Sequence, residues 1–190
     1  MNDKLKWQTL SSEYIYRETW FTARKDTCKR QDGKIVNNYY VFEFPEWVTA
    51  FALTEDGKII FTKQYRHALG EVCWELPGGC VDTEDKDNET AIRRELLEET
   101  GYAFDEVVPL GRISANPSTD SNLMHMFIAK GGRKIKEQEL DSNEEIEVTE
   151  LSFDELYSLI NENKIMQSMH LSTIWYALAY LGKIKVGGAV

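Results

Sequence analysis

The chain has 190 residues, of which 42% are hydrophobic and 12% aromatic, and this composition excludes a disordered chain because it is sufficient for a packed core. Its formal net charge is −10 and no lysine- or arginine-rich run occurs, which excludes a nucleic-acid-binding surface. The length suits one compact domain with a small appendage.

The N-terminal stretch MNDKLKWQTL has no apolar segment of the kind that signal peptides contain. No run of 18 apolar residues, which a membrane-spanning helix would require, occurs in the sequence. The cysteines Cys28, Cys73 and Cys80 fit no zinc-binding spacing and are expected to be reduced thiols. These features predict a cytoplasmic protein that does not associate with membranes.

Residues 1–45 are predicted to form a small antiparallel β segment. Aromatic and β-branched residues are frequent in 14–30 and 35–44, and Asp32-Gly33 between them is typical of a turn. Pro45 interrupts the strand pattern. We therefore expect the main domain to span residues 46–190.

The main domain combines strand and helix patterns. A second hairpin is predicted to turn at Asp56-Gly57, and the Pro-Gly-Gly of the stretch CWELPGG is expected to form a tight turn. Further strands are predicted at 106–115, 123–131 and 144–152. Helices are predicted at 88–100, 153–162 and 168–181. This order predicts an α+β fold with helices packed on a mainly antiparallel or mixed sheet.

The helix at 88–100 has recognisable ends and a recognisable buried face. Asp87 is a suitable N-cap residue, and Gly101 lies where a glycine commonly follows the last helical turn. The apolar positions expected to be buried are Ala91, Ile92 and Leu96.

Three glutamates, Glu95, Glu98 and Glu99, lie on one face of this helix, because residues three and four positions apart are neighbours. Such clusters are ordinarily solvated acidic surfaces, and each like-charge pair costs about 0.2–0.5 kcal/mol. Here Arg94 can pair with a carboxylate, and a nearby LPGG stretch offers backbone carbonyls. Carboxylate and carbonyl oxygens together would form a site for Mg²⁺ or Mn²⁺, which would let an acidic protein hold phosphate.

These residues resemble the Nudix box, whose core is REUxEExGU with U an apolar residue, and residues 94–102 match that core fully. The LPGG stretch at 76–79 is similar to the sequence that opens the box. The box also has a glutamate eight residues before its arginine and a glycine six residues earlier still. Lys86 and Cys80 occupy these positions in this chain.

This part of the chain is one residue longer than the box pattern. Glu84 or Asp85 could therefore take the place of the missing glutamate across a bulge. The difference concerns the first glutamate of the box and leaves the three helix carboxylates unchanged.

The chain also resembles the ADP-ribose pyrophosphatase subgroup of the Nudix family. Pro117 lies sixteen residues after Gly101, as in that subgroup, and QYRH at 64–67 is similar as well. The resemblance implies a Nudix α/β/α sandwich with a mixed sheet. It also implies that the N-terminal β segment pairs with, or swaps onto, the partner subunit of a homodimer.

The resemblance implies Mg²⁺-dependent hydrolysis, with Mn²⁺ as an alternative ion. The pyrophosphate bond of ADP-ribose, or of a related small nucleoside diphosphate sugar, would be cleaved to AMP or another nucleoside monophosphate and a sugar phosphate. Two alternatives stay open. One is the same chemistry on GDP- or UDP-sugars, and the other is a non-catalytic Nudix fold that senses its ligand, which the Lys86 difference favours.

The match to the motif implies roles for particular residues. The expected metal ligands are Glu95, Glu98, Glu99 and the carbonyl of Gly78. Glu98 is also expected to act in catalysis, and Arg94 to orient a carboxylate.

A general base is expected on a later loop, where DSNEEIEV offers Glu144, Glu145 and Glu147, and we favour Glu144. Arg66 is expected to contact the diphosphate. The other candidates for substrate binding are Trp20, Phe21, Trp47 and Pro117. The three histidines, His67, His125 and His170, have no ligand spacing and are expected to be structural.

Overall fold

The computed structural model describes residues 4–184. These residues divide into two compact units. The first contains the chain up to Pro45 together with Ser114–Leu123, and the second contains Glu46–Ile113 and the residues from Met124 onward.

The first unit contains a three-stranded antiparallel sheet in the order β1-β2-β3. Its strands are β1 (Gln8–Glu18), β2 (Phe21–Lys29) and β3 (Ile35–Glu43). The predicted turn at Asp32-Gly33 is confirmed, with Gly33 at φ +84°. The sequence pattern predicted one strand through residues 14–30, whereas the structure breaks it at Thr19-Trp20.

The second unit contains an eight-stranded sheet. Its strands are β4 (Trp47–Thr54), β5 (Ile59–Arg66), β6 (Glu71–Glu75), β7 (Gly78–Cys80), β8 (Tyr102–Ala103), β9 (Glu106–Ile113), β10 (Met124–Lys134) and β11 (Ile146–Leu151). The main path is β11-β5-β4-β10-β8, while β6 pairs with β5, β7 with β4 and β9 with β10. Only the β4–β10 pair among these strands is parallel, so the predicted mixed sheet is confirmed.

Three helices pack on this sheet: α1 (Asn88–Thr100), α2 (Phe153–Asn161) and α3 (Ser168–Tyr180). The ends of α1 are as predicted. Asp87 accepts a hydrogen bond from the Thr90 N–H at 2.8 Å, and Gly101 adopts a left-handed conformation at φ +76°. Within residues 4–184, every helix is too short or too polar to span a membrane.

The core lies on both faces of the sheet because successive side chains of a strand point in opposite directions. Along β4, Val48, Ala50 and Ala52 pack with α1, whereas Phe51 and Leu53 pack with α2 and α3. The side chains that α1 contributes to the first cluster are the predicted ones, Ala91, Ile92 and Leu96. The second unit is therefore an α/β/α sandwich, as predicted.

The Pro-Gly-Gly stretch differs from the prediction. The sequence indicated a tight turn, but Gly78 and Gly79 lie in the short strand β7, which pairs with β4. A Cβ atom at Gly78 would lie 2.2 Å from the carbonyl oxygen of Val48, so only glycine allows this close pairing. This pairing brings β7 alongside α1.

Candidate active site

Glu99, in the last turn of α1, is held against β7. Its Oε2 accepts a hydrogen bond from the Gly78 N–H at 2.8 Å, and the residue is 7% exposed. Burial is the main cause that raises the pKa of Glu99 well above its ordinary value, and the hydrogen bond from Gly78 opposes it. The site therefore contains a carboxylate that its surroundings favour in the neutral form.

Glu95, one turn earlier on α1, also faces β7. A Cβ atom at Gly79 would lie 2.6 Å from Oε1 of Glu95, so a glycine is required for the strand to pass this close to the carboxylate. Burial raises the pKa of Glu95 to about 7, although the charge of Arg94 acts in the opposite direction. The buried Glu99 and the partly buried Glu95 thus both have raised pKa values.

Arg94 connects these carboxylates to the loop that follows β7. Its Nη1 lies 3.0 Å from Oε1 of Glu95 and 3.0 Å from Oε2 of Glu98. Its Nε and Nη2 donate to Asp85 at 3.2 and 2.8 Å, and Nη2 also donates to the carbonyl of Cys80 at 3.0 Å. The guanidinium group is therefore in position to orient Glu95 and Glu98.

The structure places Asp85, rather than Glu84, opposite the arginine of the box. The Asp85 side chain is 5% exposed, and its hydrogen bond with Arg94 is the main cause that lowers its pKa. Glu84 is exposed and accepts a hydrogen bond from its neighbour Thr83. Lys86 is also exposed, so the longer loop turns this position toward solvent.

Of the three glutamates considered for the general base, Glu144 interacts with the carboxylates of α1. After burial, its charge is a further cause of the raised pKa values of Glu95 and Glu99. Glu147 is instead bound to Lys63 at 2.6 Å, and Glu145 is exposed to solvent. Of these three glutamates, Glu144 is therefore the one whose charge acts on the carboxylates of α1.

Arg66, at the end of β5, is held by Glu75 of β6. Its Nε lies 2.9 Å from Oε1 and its Nη2 lies 2.5 Å from Oε2 of Glu75, which is 3% exposed. The charge of Glu99 contributes to the raised pKa of Arg66, after the larger effect of Glu75. The sequence analysis did not identify Glu75 as a site residue, although its position directly before LPGG could have indicated one.

His170 of α3 fixes the backbone just before β7. Its Nδ1 accepts a hydrogen bond from the Leu76 N–H at 2.7 Å. Burial lowers the pKa of His170 to about 4, so the ring is neutral and can act as this acceptor. The other two histidines lie elsewhere: His125 contacts Glu46 at 2.8 Å, and the ring of His67 lies beside Tyr65.

The candidate substrate residues fall in different units. Trp47 is the first residue of β4, opposite Cys80 of β7. Phe21 belongs to the first unit, where it packs against the rings of Phe42 and Phe44 at 5.4 and 5.7 Å.

Trp20 and Pro117 also belong to the first unit. Trp20 is 67% exposed in the turn between β1 and β2. Pro117 is exposed in the loop that follows β9. Neither side chain is part of the core.

The carboxylates of α1 suit a divalent cation in chemistry. In the part of the chain that the structure describes, no three His, Cys, Asp or Glu side chains enclose an ion-sized position. Glu95 and Glu98 are directed to Arg94, and Glu99 to Gly78. Burial disfavours the charged form of these hard oxygen donors, and a divalent cation would stabilise that form. To bind the ion, a carboxylate would have to exchange its present partner for it.

Two family models match this chain. The N-terminal domain of nucleoside diphosphate sugar hydrolases matches residues 7–42, and the NUDIX domain matches residues 44–170.

Similar proteins include the methanol dehydrogenase activator of Bacillus methanolicus, 28% identical over 170 residues that cover 89% of this chain and 91% of that protein. The ADP-ribose pyrophosphatase of Bacillus subtilis (strain 168) is 27% identical over 178 residues, 93% of each chain. The GDP-mannose pyrophosphatase of Escherichia coli (strain K12) is 28% identical over 167 residues, 83% of this chain and 87% of that one.

A solved structure described as an ADP compounds hydrolase superposes on this chain with a TM-score of 0.78. The alignment covers 94% of this chain and 97% of the other, at 19% sequence identity. At this identity the likeness establishes the shared fold.

Proposed function

The chain belongs to the Nudix family as a pyrophosphatase, and we propose that it hydrolyses ADP-ribose, or a closely related nucleoside diphosphate sugar, in a Mg²⁺-dependent reaction. One observation carries the proposal: Arg94 orders two carboxylates of α1 beside Glu99, and the charge of Glu144 acts on this group. The similar pyrophosphatases of Bacillus subtilis and Escherichia coli support the substrate class.

The metal site that we propose uses Glu95, Glu98, Glu99 and the carbonyl of Gly78. A bound Mg²⁺, or Mn²⁺ with the same oxygen ligands, would neutralise the diphosphate and acidify the attacking water. Gly78 already holds Glu99 through its N–H. Arg94 would keep Glu98 aligned while the charge at the site changes.

Glu144 is our proposed general base, which would accept the proton of the attacking water. A base must lie within hydrogen-bond reach of that proton, directly or through one water molecule. Its electrostatic effect on both Glu95 and Glu99 supports this role. Glu147 is a poorer candidate because Lys63 binds it.

Arg66 is our proposed ligand for the diphosphate of the substrate. Glu75 accepts hydrogen bonds from Nε and Nη2, so the guanidinium group is fixed before a ligand arrives. We expect Nη1 to reach a phosphate oxygen, since a planar guanidinium group matches phosphate geometry. Phe21, Trp47 and Pro117 remain our proposed contacts for the nucleoside.

The decisive experiment is to measure phosphomonoester release from ADP-ribose, GDP-mannose, UDP-sugars, dinucleotides and nucleoside triphosphates, with Mg²⁺ and then with EDTA. We expect ADP-ribose to be cleaved faster than the others, and only with the metal. Preference for a GDP- or UDP-sugar would establish the alternative substrate. Binding of ADP-ribose without turnover would indicate a sensor, and neither binding nor turnover would reject the proposal.

We further propose that residues 1–45 form a separate β domain that joins two copies of the chain as a homodimer, with residues 46–190 as the catalytic domain. Every residue of β1 is exposed, and among the described strands it pairs only with β2. Its exposed apolar side chains are Leu10, Tyr14, Ile15 and Tyr16. An edge strand with one unpaired side and several exposed apolar side chains is an unusual surface for a monomer.

Light scattering would test the homodimer. We expect a mass about twice 22.0 kDa for the wild type. The variant Ile15→Lys should shift it toward the monomer, because lysine on an edge strand opposes pairing between sheets. A monomeric wild type would reject the proposal.

We also propose a cytoplasmic location, since the three cysteines are free thiols.

A further inference from the structure

The C-terminal end of α1 receives its hydrogen bonds from the segment that follows β10. The last carbonyls of a helix lack partners within it and must find donors elsewhere. The Glu139 N–H donates to the carbonyl of Glu98, and the Ile135 N–H donates to that of Gly101, both at 2.9 Å. The carbonyl of Glu99 instead accepts a hydrogen bond from the side chain of Gln138 at 2.7 Å.

The same side-chain amide makes a second contact. Nε2 of Gln138 also donates to the carbonyl of Ile146, the first residue of β11, at 3.1 Å. Both partners are carbonyl oxygens, so this nitrogen supplies both of its hydrogens. We define residues 139–145 as the Glu144 loop. Gln138 precedes this loop and Ile146 follows it, so one amide group joins the end of α1 to both ends of the loop.

Within the Glu144 loop, the glutamate is held by a local turn. The Glu144 N–H donates to the carbonyl of Asp141 at 3.0 Å, and the Asp141 N–H donates to Oε2 of Glu144 at 3.1 Å. This turn is internal to the loop. The placement of Glu144 relative to α1 therefore depends on the contacts at the two ends of the loop.

We propose that Gln138 is a positioning residue that sets where the Glu144 carboxylate lies relative to Glu99 and Glu95. The proposal rests on the proposed function, in which Glu144 is the general base. Gln138 touches the backbone of Glu99, whose side chain faces β7, and it closes the loop that carries Glu144. It acts through these residues and makes no contact with the substrate.

The two carbonyl partners require a side-chain donor at this position. A glutamate would direct a charged acceptor at two carbonyl oxygens, which repel it. Alanine would remove both hydrogen bonds but keep the backbone bond from Glu139 to Glu98. The variant Gln138→Ala should therefore fold, with a loop that is less well placed.

The first test compares Gln138→Ala and Gln138→Glu with the control Glu137→Ala. Glu137 lies in the same segment, its side chain is 90% exposed, and its ion pair is with Lys134 at the surface. We expect both Gln138 variants to lower kcat by about tenfold to a hundredfold, because a small displacement of a catalytic group is costly. KM should stay within about twofold of the wild type. A kcat equal to that of the control would overturn the proposal.

The second test is a double-mutant cycle with Glu144→Gln. If Gln138 acts through Glu144, adding Gln138→Ala to Glu144→Gln should lower kcat by less than about twofold. Full additivity of the two losses would reject the positioning role. If Glu144→Gln lowers kcat and Gln138→Ala does not, Gln138 has no positioning role and the proposed function stands.

Hydrogen exchange provides a readout that is independent of activity. The amides of the Glu144 loop should exchange faster in Gln138→Ala than in Glu137→Ala, whether or not the chain is active on the substrates tested. Unchanged exchange would reject the role of Gln138 in the fold of the loop. A wild type without activity, combined with faster exchange in the variant, would retain the structural placement and reject the proposed function.

Discussion

The guanidinium group of Arg94 binds the carboxylate of Asp85 through two hydrogen bonds, at 3.2 Å from Nε and 2.8 Å from Nη2. This aspartate is buried and lies one residue before Lys86. Lys86 occupies the position at which the family pattern has a glutamate. The remaining nitrogen of Arg94 binds the carboxylates of Glu95 and Glu98. We therefore expect Asp85, with its shorter side chain, to take the place of the missing glutamate.

Replacing Asp85 with asparagine should test this substitution of one acid for another. The ion pair with Arg94 would be lost in a partly buried place, and we expect the free energy of unfolding to fall by about 1–3 kcal/mol. Activity should fall as well, because Arg94 would no longer be fixed beside Glu98. Chemical denaturation and steady-state kinetics would measure both effects. The control is Glu84→Gln, which is exposed, and equal behaviour of the two variants would contradict this account.

Glu99→Gln should abolish turnover and leave the fold intact. Glutamine can still accept the hydrogen bond from Gly78, but it removes a charge from the proposed metal site. We expect kcat to fall on the order of a hundredfold or more. Glu89→Gln, in the exposed first turn of the same helix, is the matched control. Activity like that of the wild type in Glu99→Gln would exclude Glu99 as a functional carboxylate.

The stability of the metal-free protein should depend on pH through Glu95. Its pKa is raised from an ordinary 4.5 to about 7, so in the folded state it ionises later than in the unfolded chain. Stability should therefore fall as the pH rises through this interval, by about 3 kcal/mol in total, with no effect of Glu95 below it.

Urea denaturation in EDTA at pH 5 and pH 8 would measure this dependence. Glu95→Gln should be more stable than the wild type at pH 8, and most of this difference should be lost at pH 5. Adding Mg²⁺ at pH 8 should reduce the difference by stabilising the ionised form of Glu95. A difference that does not change with pH would show that Glu95 titrates normally.

The ion pair between Arg66 and Glu75 should contribute to both stability and substrate affinity. Glu75→Ala should lower the free energy of unfolding by about 2 kcal/mol, less than for a fully buried pair, because Arg66 is partly exposed. KM should rise because Arg66 loses its fixed orientation, while kcat should change less. Thermal denaturation and kinetics would test this against Glu71→Ala, on the exposed part of the same strand.

The sequence, with its resemblance to the Nudix family, was sufficient to predict the sandwich, the mixed sheet and the helix α1. Asp87 and Gly101 mark the ends of α1 through local hydrogen bonding and backbone conformation, which the residue types reveal directly. The turn at Thr19-Trp20 escaped prediction because it contains no glycine, proline, asparagine or aspartate.

The site was less accessible to sequence reasoning where it depends on contacts between distant residues. Glu95, Glu98 and Glu99 follow from helix geometry and from the box. The role of Asp85 required the path of the loop, and that of Glu75 required its neighbour across the hairpin. Gln138 contacts Glu99 from 39 positions away, a distance that no local pattern reveals.

The direction of α1 has a consequence for the electrostatic potential at the proposed metal site. The aligned peptide dipoles of a helix place roughly half a negative elementary charge at its C-terminal end. The last turn of α1 contains no basic residue to offset this charge, and Glu98 and Glu99 lie there. The backbone itself therefore adds to the attraction for a cation, and the same three glutamates placed at the start of a helix would form a weaker site.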